Sequence, residues 1–256
     1  MPFNSPSKFW DLYDEGEIEL PYNNYPPKDA PIESIPFYGE LSQYSDISKE
    51  HAPDDQHALK LIHGYKATVS YVDKLIGDII NVLKDEELYS NTIIVLVGDH
   101  GYSLREHTLW AKYNSYEEAT KVPLLIKVPG KNAFATNAMV ELVDIYPTIA
   151  ELCNLELPKN QIEGKSLKPI LDQNDTKGKD YIFVKTANAF SIISKDYSYT
   201  EYINLDDFST ITYMLYDKSN DIDENVNVAN LDEYKLVVKE YQSILREKFE
   251  VNIKGK

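Results

Sequence analysis

The stretch Asn91-Thr-Ile-Ile-Val-Leu-Val-Gly-Asp-His-Gly101 decides the fold class of this chain. Its central residues are β-branched and apolar and are bounded by polar turns, which predicts a strand that is buried on both faces. Upstream, from Asp54 to about Lys84, apolar residues recur at steps of three and four, which predicts one long amphipathic helix. A long helix followed by a buried strand favours an α/β fold with a parallel sheet.

Further elements are expected on the C-terminal side. An apolar run closed by Pro129-Gly130 predicts a second short strand at 122–128, and the segment 140–152, entered through Asp144 and Pro147, predicts a helix. Beyond residue 180, short runs of aromatic and β-branched residues predict an antiparallel sheet covered by one helix. The expected strands are 181–184, 189–193, 197–203 and 210–216, and the expected helix is 231–249.

The chain is long enough to bury a sizeable core, with 256 residues of which 43% are hydrophobic. Residues 1–53 contain eight of the thirteen prolines and little periodicity, so we expect an extended segment that wraps over a surface. The polar stretch 173–179 is the best candidate boundary. We therefore expect an α/β domain at 1–172 and a small α+β subdomain at 180–256.

Charge and cysteine content narrow the possible functions. With 42 acidic and 26 basic residues the formal charge is −16, which disfavours nucleic acid and anionic lipid as partners. Cys153 is the single cysteine, so an internal disulfide framework and a multi-cysteine metal site are excluded. No apolar run approaches the roughly 20 residues that span a membrane, and the first residues lack the pattern of a secretory signal.

The sharpest chemical feature is Gly98-Asp99-His100-Gly101, directly after the predicted strand. In open α/β sheets, ligands bind just outside the carboxyl ends of the strands. A carboxylate beside an imidazole, with glycines that let the backbone come close, suits a bound cation. The alternative is a structural turn in which Asp99 caps the following segment and His100 is an ordinary surface histidine.

A longer string surrounds this motif: Gly98-Asp-His-Gly-Tyr-Ser-Leu-Arg-Glu-His-Thr-Leu-Trp-Ala-Lys-Tyr113, continuing to Glu117-Glu-Ala-Thr-Lys-Val-Pro-Leu-Leu-Ile126. It closely resembles the C-terminal signature of sulfatases of the iduronate-2-sulfatase group, in the alkaline-phosphatase-like superfamily. The resemblance implies the C-terminal part of an alkaline-phosphatase-like α/β/α sandwich, plus the small antiparallel sheet with its covering helix. It covers essentially the whole chain, through segments 1–13, 67–73, 140–148, 163–167, 199–202 and 215–217.

The resemblance implies roles for three residues of the long string. Asp99 and His100 are then ligands of the family's divalent cation, usually calcium. Lys112 is then a catalytic and substrate-binding residue that reaches the sulfate group, where its ammonium balances the charge that develops as the ester bond breaks.

Four neighbouring residues carry weaker expectations. His107 either acts in catalysis by contacting the substrate or braces the loop. Tyr102 and Trp110 either form the aromatic walls of a sugar-binding site or pack in the core. Arg105 stands where the family frequently has glycine, so either the local backbone or the detail of substrate contact is expected to differ there.

The nucleophile of the family is not found in this sequence. Sulfatases use a formylglycine made from the cysteine or serine of a Cys/Ser-x-Pro-x-Arg motif. Cys153 lies in Ala150-Glu-Leu-Cys-Asn154, and Leu155 stands where the proline would have to be. We therefore expect a C-terminal half whose formylglycine belongs to a missing N-terminal half, and an isolated chain that is inactive. An uncovered sheet should make it poorly soluble or oligomeric unless that half or another chain completes it.

Three functions compete at this point. The first is hydrolysis of sulfate esters on sugars, as in glycosaminoglycan degradation. The second is a non-catalytic remnant that binds a sulfated glycan or a partner, and the third is a phosphodiesterase or phosphatase of the same superfamily. The continuation Glu106-His-x-x-Trp-x-Lys112 favours the sulfatase. Proteins of this kind are usually periplasmic, secreted or lysosomal.

Overall fold

The computed structural model describes residues 3–36, 40–158 and 160–254. The chain forms two compact units: Met1–Pro26 with Ser34–Ala133, called unit 1, and Pro27–Glu33 with Phe134–Lys256, called unit 2. None of the helices in the described ranges has the length and apolar character needed to cross a membrane.

This division does not fall at the expected boundary, 173–179, because contacts within unit 2 cross that segment. Met139 and Gly178 form an isolated parallel bridge. Lys179 forms an ion pair with Glu141. The segment before the expected boundary therefore packs with the C-terminal sheet, and the two-domain division expected from the sequence stays a prediction.

Unit 1 contains one long helix and several short elements. The helix begins where the side chain of Asp54 accepts a hydrogen bond from the backbone N–H of His57, at 2.9 Å, and its bounds lie within one residue of the expected ones. In chain order the described elements are α1 (Ser7–Trp10), α2 (Asp55–Asp85), β1 (Ile94–Val97), β2 (Ser103–Leu104), β3 (Trp110–Ala111), α3 (Glu117–Thr120) and β4 (Leu124–Lys127).

The core of unit 1 lies on the first half of α2, where the N-terminal segment crosses the helix. A Cβ at Gly64 would lie 2.8 Å from the ring of Trp10, so only glycine allows this close approach. His63, expected to be structural, is buried and its Nε2 lies 2.9 Å from the carbonyl oxygen of Trp10. The buried cluster consists of Phe3, Leu41, Ile47, Ala58, Leu61 and Trp110.

The expectation of a parallel sheet with a fully buried first strand is wrong for this chain. β1 pairs with β4 in antiparallel register, with Ile94 opposite Lys127 and Val97 opposite Leu124. Among the described strands β4 is the single neighbour of β1, so the apolar side chains of β1 are not enclosed on both faces. Leu96 and Val97 are exposed.

An exposed apolar stripe runs along the second half of α2. Large aliphatic side chains recur there at helical spacing and face solvent, whereas those of the first half are buried. We call this set the α2 stripe: Val69, Val72, Leu75, Ile79 and Val82.

Unit 2 has the expected antiparallel sheet with one covering helix. Two of its four strands have the expected bounds, and the other two differ by one or two residues at an end. The described elements are α4 (Ile145–Leu152), α5 (Lys168–Leu171), β5 (Ile182–Thr186), β6 (Ala189–Ile193), β7 (Tyr197–Ile203), β8 (Thr210–Asp217) and α6 (Lys235–Lys254).

The sheet runs in the order β5-β6-β7-β8, and α6 packs on one face of it. Alternate residues of β7 point toward α6, so Tyr199 and Ile203 join the core while Glu201, fully buried, forms an ion pair with Arg246 of the helix. The other buried members of this core are Phe190, Ile192, Leu215, Ala229, Tyr241 and Leu245.

Candidate functional site

The turn that carries Asp99 and His100 is held on both sides by backbone hydrogen bonds. The N–H of Gly98 donates to the carbonyl oxygen of Pro123 at 3.2 Å, and that of Gly101 donates to Ala119 at 2.9 Å. A Cβ at Gly101 would lie 1.9 Å from the carbonyl oxygen of Glu118, so no other residue fits there without a backbone shift. The turn is therefore presented at a fixed place at the end of β1.

Within this turn, the imidazole of His100 is oriented by its own backbone neighbour. His100 Nδ1 lies 2.8 Å from the carbonyl oxygen of Gly101. Since a carbonyl oxygen accepts, we assign the proton to Nδ1, which leaves the lone pair on Nε2. Nε2 lies 3.6 Å from Oδ2 of Asp99.

This arrangement fits part of a cation site. A hydrogen bond from Nδ1–H to a carbonyl is the usual way a protein prepares Nε2 as a metal ligand. The carboxylate of Asp99 is 90% exposed, so its oxygens are available to a ligand. The described residues contain no group of three or more His, Cys, Asp or Glu side chains suited to a metal ion. The remaining ligands of a cation would have to come from elsewhere.

Lys112 follows β3 and forms an ion pair that the sequence did not predict. Its Nζ lies 2.9 Å from Oε2 of Glu40, with side chains 26% and 23% exposed, respectively. The other carboxylate oxygen of Glu40 accepts a hydrogen bond from Tyr44 Oη at 3.2 Å. Lys112 Nζ also lies 5.5 Å from the centroid of the Tyr113 ring, within reach of a cation–π contact.

The ion pair between Lys112 and Glu40 shifts the pKa of both residues. The contact with Lys112 lowers the pKa of Glu40 below its ordinary value of 4.5, against the opposing effect of burial. The same contact raises the pKa of Lys112. Glu40 therefore favours the charged form of the lysine.

The two aromatic candidates, Trp110 and Tyr102, differ in packing and in hydrogen bonding. Trp110 is 5% exposed and belongs to the core cluster, which supports packing rather than a sugar-binding wall. Tyr102 packs edge-on against Phe3, with ring centroids 5.5 Å apart, but its buried hydroxyl makes no hydrogen bond within the described residues. Burial raises the pKa of Tyr102, and the negative charge of Glu40 adds to this effect.

His107 is buried against an aromatic ring. It is 0% exposed, its ring centroid lies 4.7 Å from that of Tyr116, and its backbone N–H donates to the carbonyl oxygen of Asn23 at 2.9 Å. These contacts support the bracing role over a catalytic one.

Arg105 has a backbone conformation that favours glycine. Its φ is 86°, in the left-handed region. Its guanidinium, through Nη2, lies 2.7 Å from Oδ1 of Asp55 at the start of α2. The loop therefore holds an arginine in a conformation that glycine adopts more easily, and the arginine side chain forms an ion pair.

Glu40 and Tyr44 were missed because they lie in the proline-rich segment, where no motif or periodicity marks them. The spacing of four residues between a glutamate and a tyrosine is too common to indicate a site. Cys153 follows α4 and is exposed, so it is a boundary thiol and not a core one.

The fold is that of the alkaline-phosphatase-like enzymes, and comparison with known proteins identifies the family. The sulfatase family model matches residues 22–155, and the model of the C-terminal region of N-sulphoglucosamine sulphohydrolase matches residues 105–250. The chain therefore belongs to the sulfatase family. Sulfatases in general use a divalent metal and a formylglycine.

Individual relatives extend this result. A sulfatase of Formosa agariphila is 31% identical over 253 residues, which cover 96% of this chain and 47% of the relative. Mouse iduronate 2-sulfatase is 31% identical over 190 residues, which cover 62% of this chain and 34% of the relative. A protein solved with its substrate D-glucosamine-2-N,6-O-disulfate superimposes with a TM-score of 0.70 and 26% identity, over 80% of this chain and 44% of that one. The chain thus spans half or less of the length of these relatives.

Proposed function

We propose that this chain is the C-terminal part of an enzyme that hydrolyses sulfate esters on sugars, of the kind found in glycosaminoglycans. In this proposal Asp99 and His100 supply two ligands to a divalent cation, which we take to be calcium. Lys112 binds the sulfate group, and the formylglycine nucleophile comes from an N-terminal half that this sequence does not contain.

The observation that carries the proposal is the orientation of His100 at the end of β1, where the contact of Nδ1 with the Gly101 carbonyl leaves Nε2 and the exposed carboxylate of Asp99 available to a cation. The ammonium of Lys112, paired with Glu40, supplies a positive charge for the sulfate group. A bound cation polarises the oxygens of a sulfate ester. Lys112 keeps its proton because Glu40 raises its pKa, so it can stabilise the negative charge that develops on the sulfate group.

The relatives support the substrate class. The protein solved with D-glucosamine-2-N,6-O-disulfate has a sulfated sugar as its substrate, and the mouse relative is an iduronate 2-sulfatase. A sugar bearing a sulfate ester is therefore the substrate class to test first.

The decisive experiment completes the chain with the N-terminal half of the Formosa agariphila relative and measures sulfate release. The assays use D-glucosamine 6-sulfate and 4-nitrocatechol sulfate, with and without added calcium. We expect turnover by the completed protein and none by the chain alone. Lys112→Ala should lower kcat/KM by on the order of a hundredfold, since it removes a group that stabilises developing charge.

Lys121→Ala is the matched control, because Lys121 is an exposed lysine of the same unit whose partner is Glu117, one turn earlier. It should leave turnover unchanged. Equal activity in Lys112→Ala and in the parent would refute the assigned role of Lys112. Faster hydrolysis of 4-nitrophenyl phosphate than of the sulfate esters would favour the phosphatase alternative, and no turnover of any ester would favour a non-catalytic chain.

A further inference from the structure

Glu40 is held rigidly for a residue in a proline-rich segment. The next residue, Leu41, is completely buried in the core of unit 1 and begins a single 3-10 turn, Leu41–Gln43. Tyr44 packs against the same core and donates its hydroxyl hydrogen to Oε1 of Glu40. The carboxylate is therefore fixed from two sides before it meets Lys112.

Lys112 is flexible by nature, because four methylene groups separate its ammonium from a backbone that is fixed by the buried Ala111. Without a partner, the ammonium would sample many positions. The ion pair with Glu40 selects one of them. An ammonium has three donors, so pairing with one carboxylate oxygen of Glu40 leaves at least two for an incoming anion.

We propose that Glu40 is a positioning residue that holds the ammonium of Lys112 in place for the sulfate group. This inference rests on the proposed function for the identity of the anion, but the contact between Glu40 and Lys112 can be tested without it. The pair is partly exposed, and exposed pairs contribute little to stability. Its removal should therefore move the ammonium without unfolding the chain.

The first test follows the side-chain ammonium of Lys112 by nuclear magnetic resonance in the full chain labelled with 15N-lysine, with Lys112→Arg to assign the signal. In Glu40→Gln we expect the signal to broaden or disappear through faster exchange with water, and the titration of Lys112 to move to lower pH. Glu40→Asp should restore part of the signal. Glu50→Gln, an exposed glutamate of the same segment, should change nothing.

Tyr44→Phe gives a second route should Glu40→Gln disturb folding. It removes only the hydroxyl that braces Glu40, and should weaken the Lys112 signal in the same direction but less. An ammonium signal that is the same in the parent, in Glu40→Gln and in Tyr44→Phe would overturn the proposal.

The second test uses the completed enzyme. Glu40→Gln should lower kcat by on the order of tenfold, with a smaller change in KM, because a displaced lysine loses transition-state contact more than ground-state binding. A kcat equal to that of the parent would overturn the proposal. If the completed parent enzyme hydrolyses no sulfate ester, the proposed function fails, while the resonance experiment still decides whether Glu40 positions Lys112.

Discussion

Arg105 shows how a single residue can keep a glycine conformation at some cost. An L-residue at φ 86° is strained by about 1 kcal/mol relative to glycine. The ion pair with Asp55 offsets part of that cost at most, because Asp55 is mostly exposed. The arginine therefore gives this loop little net stability.

Two variants that both lose the ion pair should differ in stability. Arg105→Gly should be more stable than Arg105→Ala by about 1 kcal/mol, because alanine keeps the left-handed strain and glycine does not. The free energy of unfolding is measured by urea denaturation, monitored through the protection of β2 and β3 amides against hydrogen exchange. An alanine variant as stable as the glycine variant would show that the backbone here is not strained.

Asp217 ends β8 and is the most highly bonded carboxylate of its loop. It accepts hydrogen bonds from the Tyr234 hydroxyl and from Asn220 Nδ2, both at 2.8 Å, and from the N–H of Ser219 at 3.1 Å. Burial alone would raise the pKa of Asp217, but these hydrogen bonds outweigh it and lower the pKa below the ordinary 3.8. The ionised carboxylate therefore stabilises the folded state.

The pH dependence follows from the sign of that shift. Because the folded-state pKa is lowered, the contribution is complete above the ordinary aspartate value and is lost as the pH falls through the lower folded value. Asp217→Asn should lower the free energy of unfolding of unit 2 by about 1–3 kcal/mol at pH 7, and by less below pH ~4. Protection of β8 amides at both pH values measures this. Asp206→Asn, in the exposed loop between β7 and β8, is the control, and an equal loss at both pH values would contradict the assignment.

Among the elements of unit 2, α4 is fixed at its start by a buried carboxylate. Asp144 is completely buried and accepts hydrogen bonds from the N–H of Glu141 and of Lys165, at 2.9 and 2.7 Å. Its charged partner is Lys179 Nζ, at 2.7 Å. A lysine from the segment before β5 thus neutralises a charge that the start of α4 cannot expose to water.

Removal of that lysine should leave a buried charge without its counter-ion. We expect Lys179→Met to destabilise unit 2 by about 3–5 kcal/mol. Lys177→Met is the matched control, since Lys177 pairs with Asp180 in an exposed position. It should lower the free energy of unfolding by less than about 1 kcal/mol. Protection of the α4 amides is the measurement, and similar losses in the two variants would mean that Asp144 does not depend on Lys179.

The α2 stripe is the element-scale feature with the clearest effect in solution. Aliphatic side chains exposed at helical spacing favour association with another apolar surface. We expect the chain alone to self-associate, and the double substitution Val72→Glu with Ile79→Lys to reduce this without loss of helix. Sedimentation velocity measures the association, and Asn81→Lys, an exposed polar position on α2, is the control. A parent chain that sediments as a monomer would contradict the expectation.

At the scale of the whole molecule, charge should control that association. The formal charge is −16 at pH 7, and the isoelectric point is about 4.7. Mutual repulsion should keep the chains apart at pH 8 and disappear as the pH approaches the isoelectric point. Light scattering should therefore rise as the pH falls toward 5, and also with about 0.5 M salt at pH 8, because salt screens the repulsion. Light scattering that falls as the pH approaches 5 would show that charge repulsion does not control the association.

Local pattern predicted the elements well, and contacts between distant segments were what it missed. The bounds of α2, β6 and β7 were read from the spacing of apolar, β-branched and aromatic residues, which is a local property of the sequence. The antiparallel pairing of β1 with β4 was not predicted, since an apolar run fixes neither the direction nor the number of its neighbours.

In the candidate site, too, local pattern identified residues of one motif but not their contacts with distant segments. Asp99, His100 and Lys112 were singled out because they lie in one continuous motif with a known resemblance. Glu40, the partner of Lys112, was not predicted, because it lies in a segment without periodicity. The packing of Trp110 and the burial of His107 likewise depend on what surrounds the motif, which the motif alone does not contain.

The exposed thiol after α4 has a practical consequence. Because Cys153 is the single cysteine of the chain, a maleimide dye attaches at one place, in unit 2. The two tryptophans, Trp10 and Trp110, both belong to unit 1. Intrinsic emission and dye emission therefore report on different units of the same molecule, so a single labelled sample can reveal whether the two units melt together or one after the other.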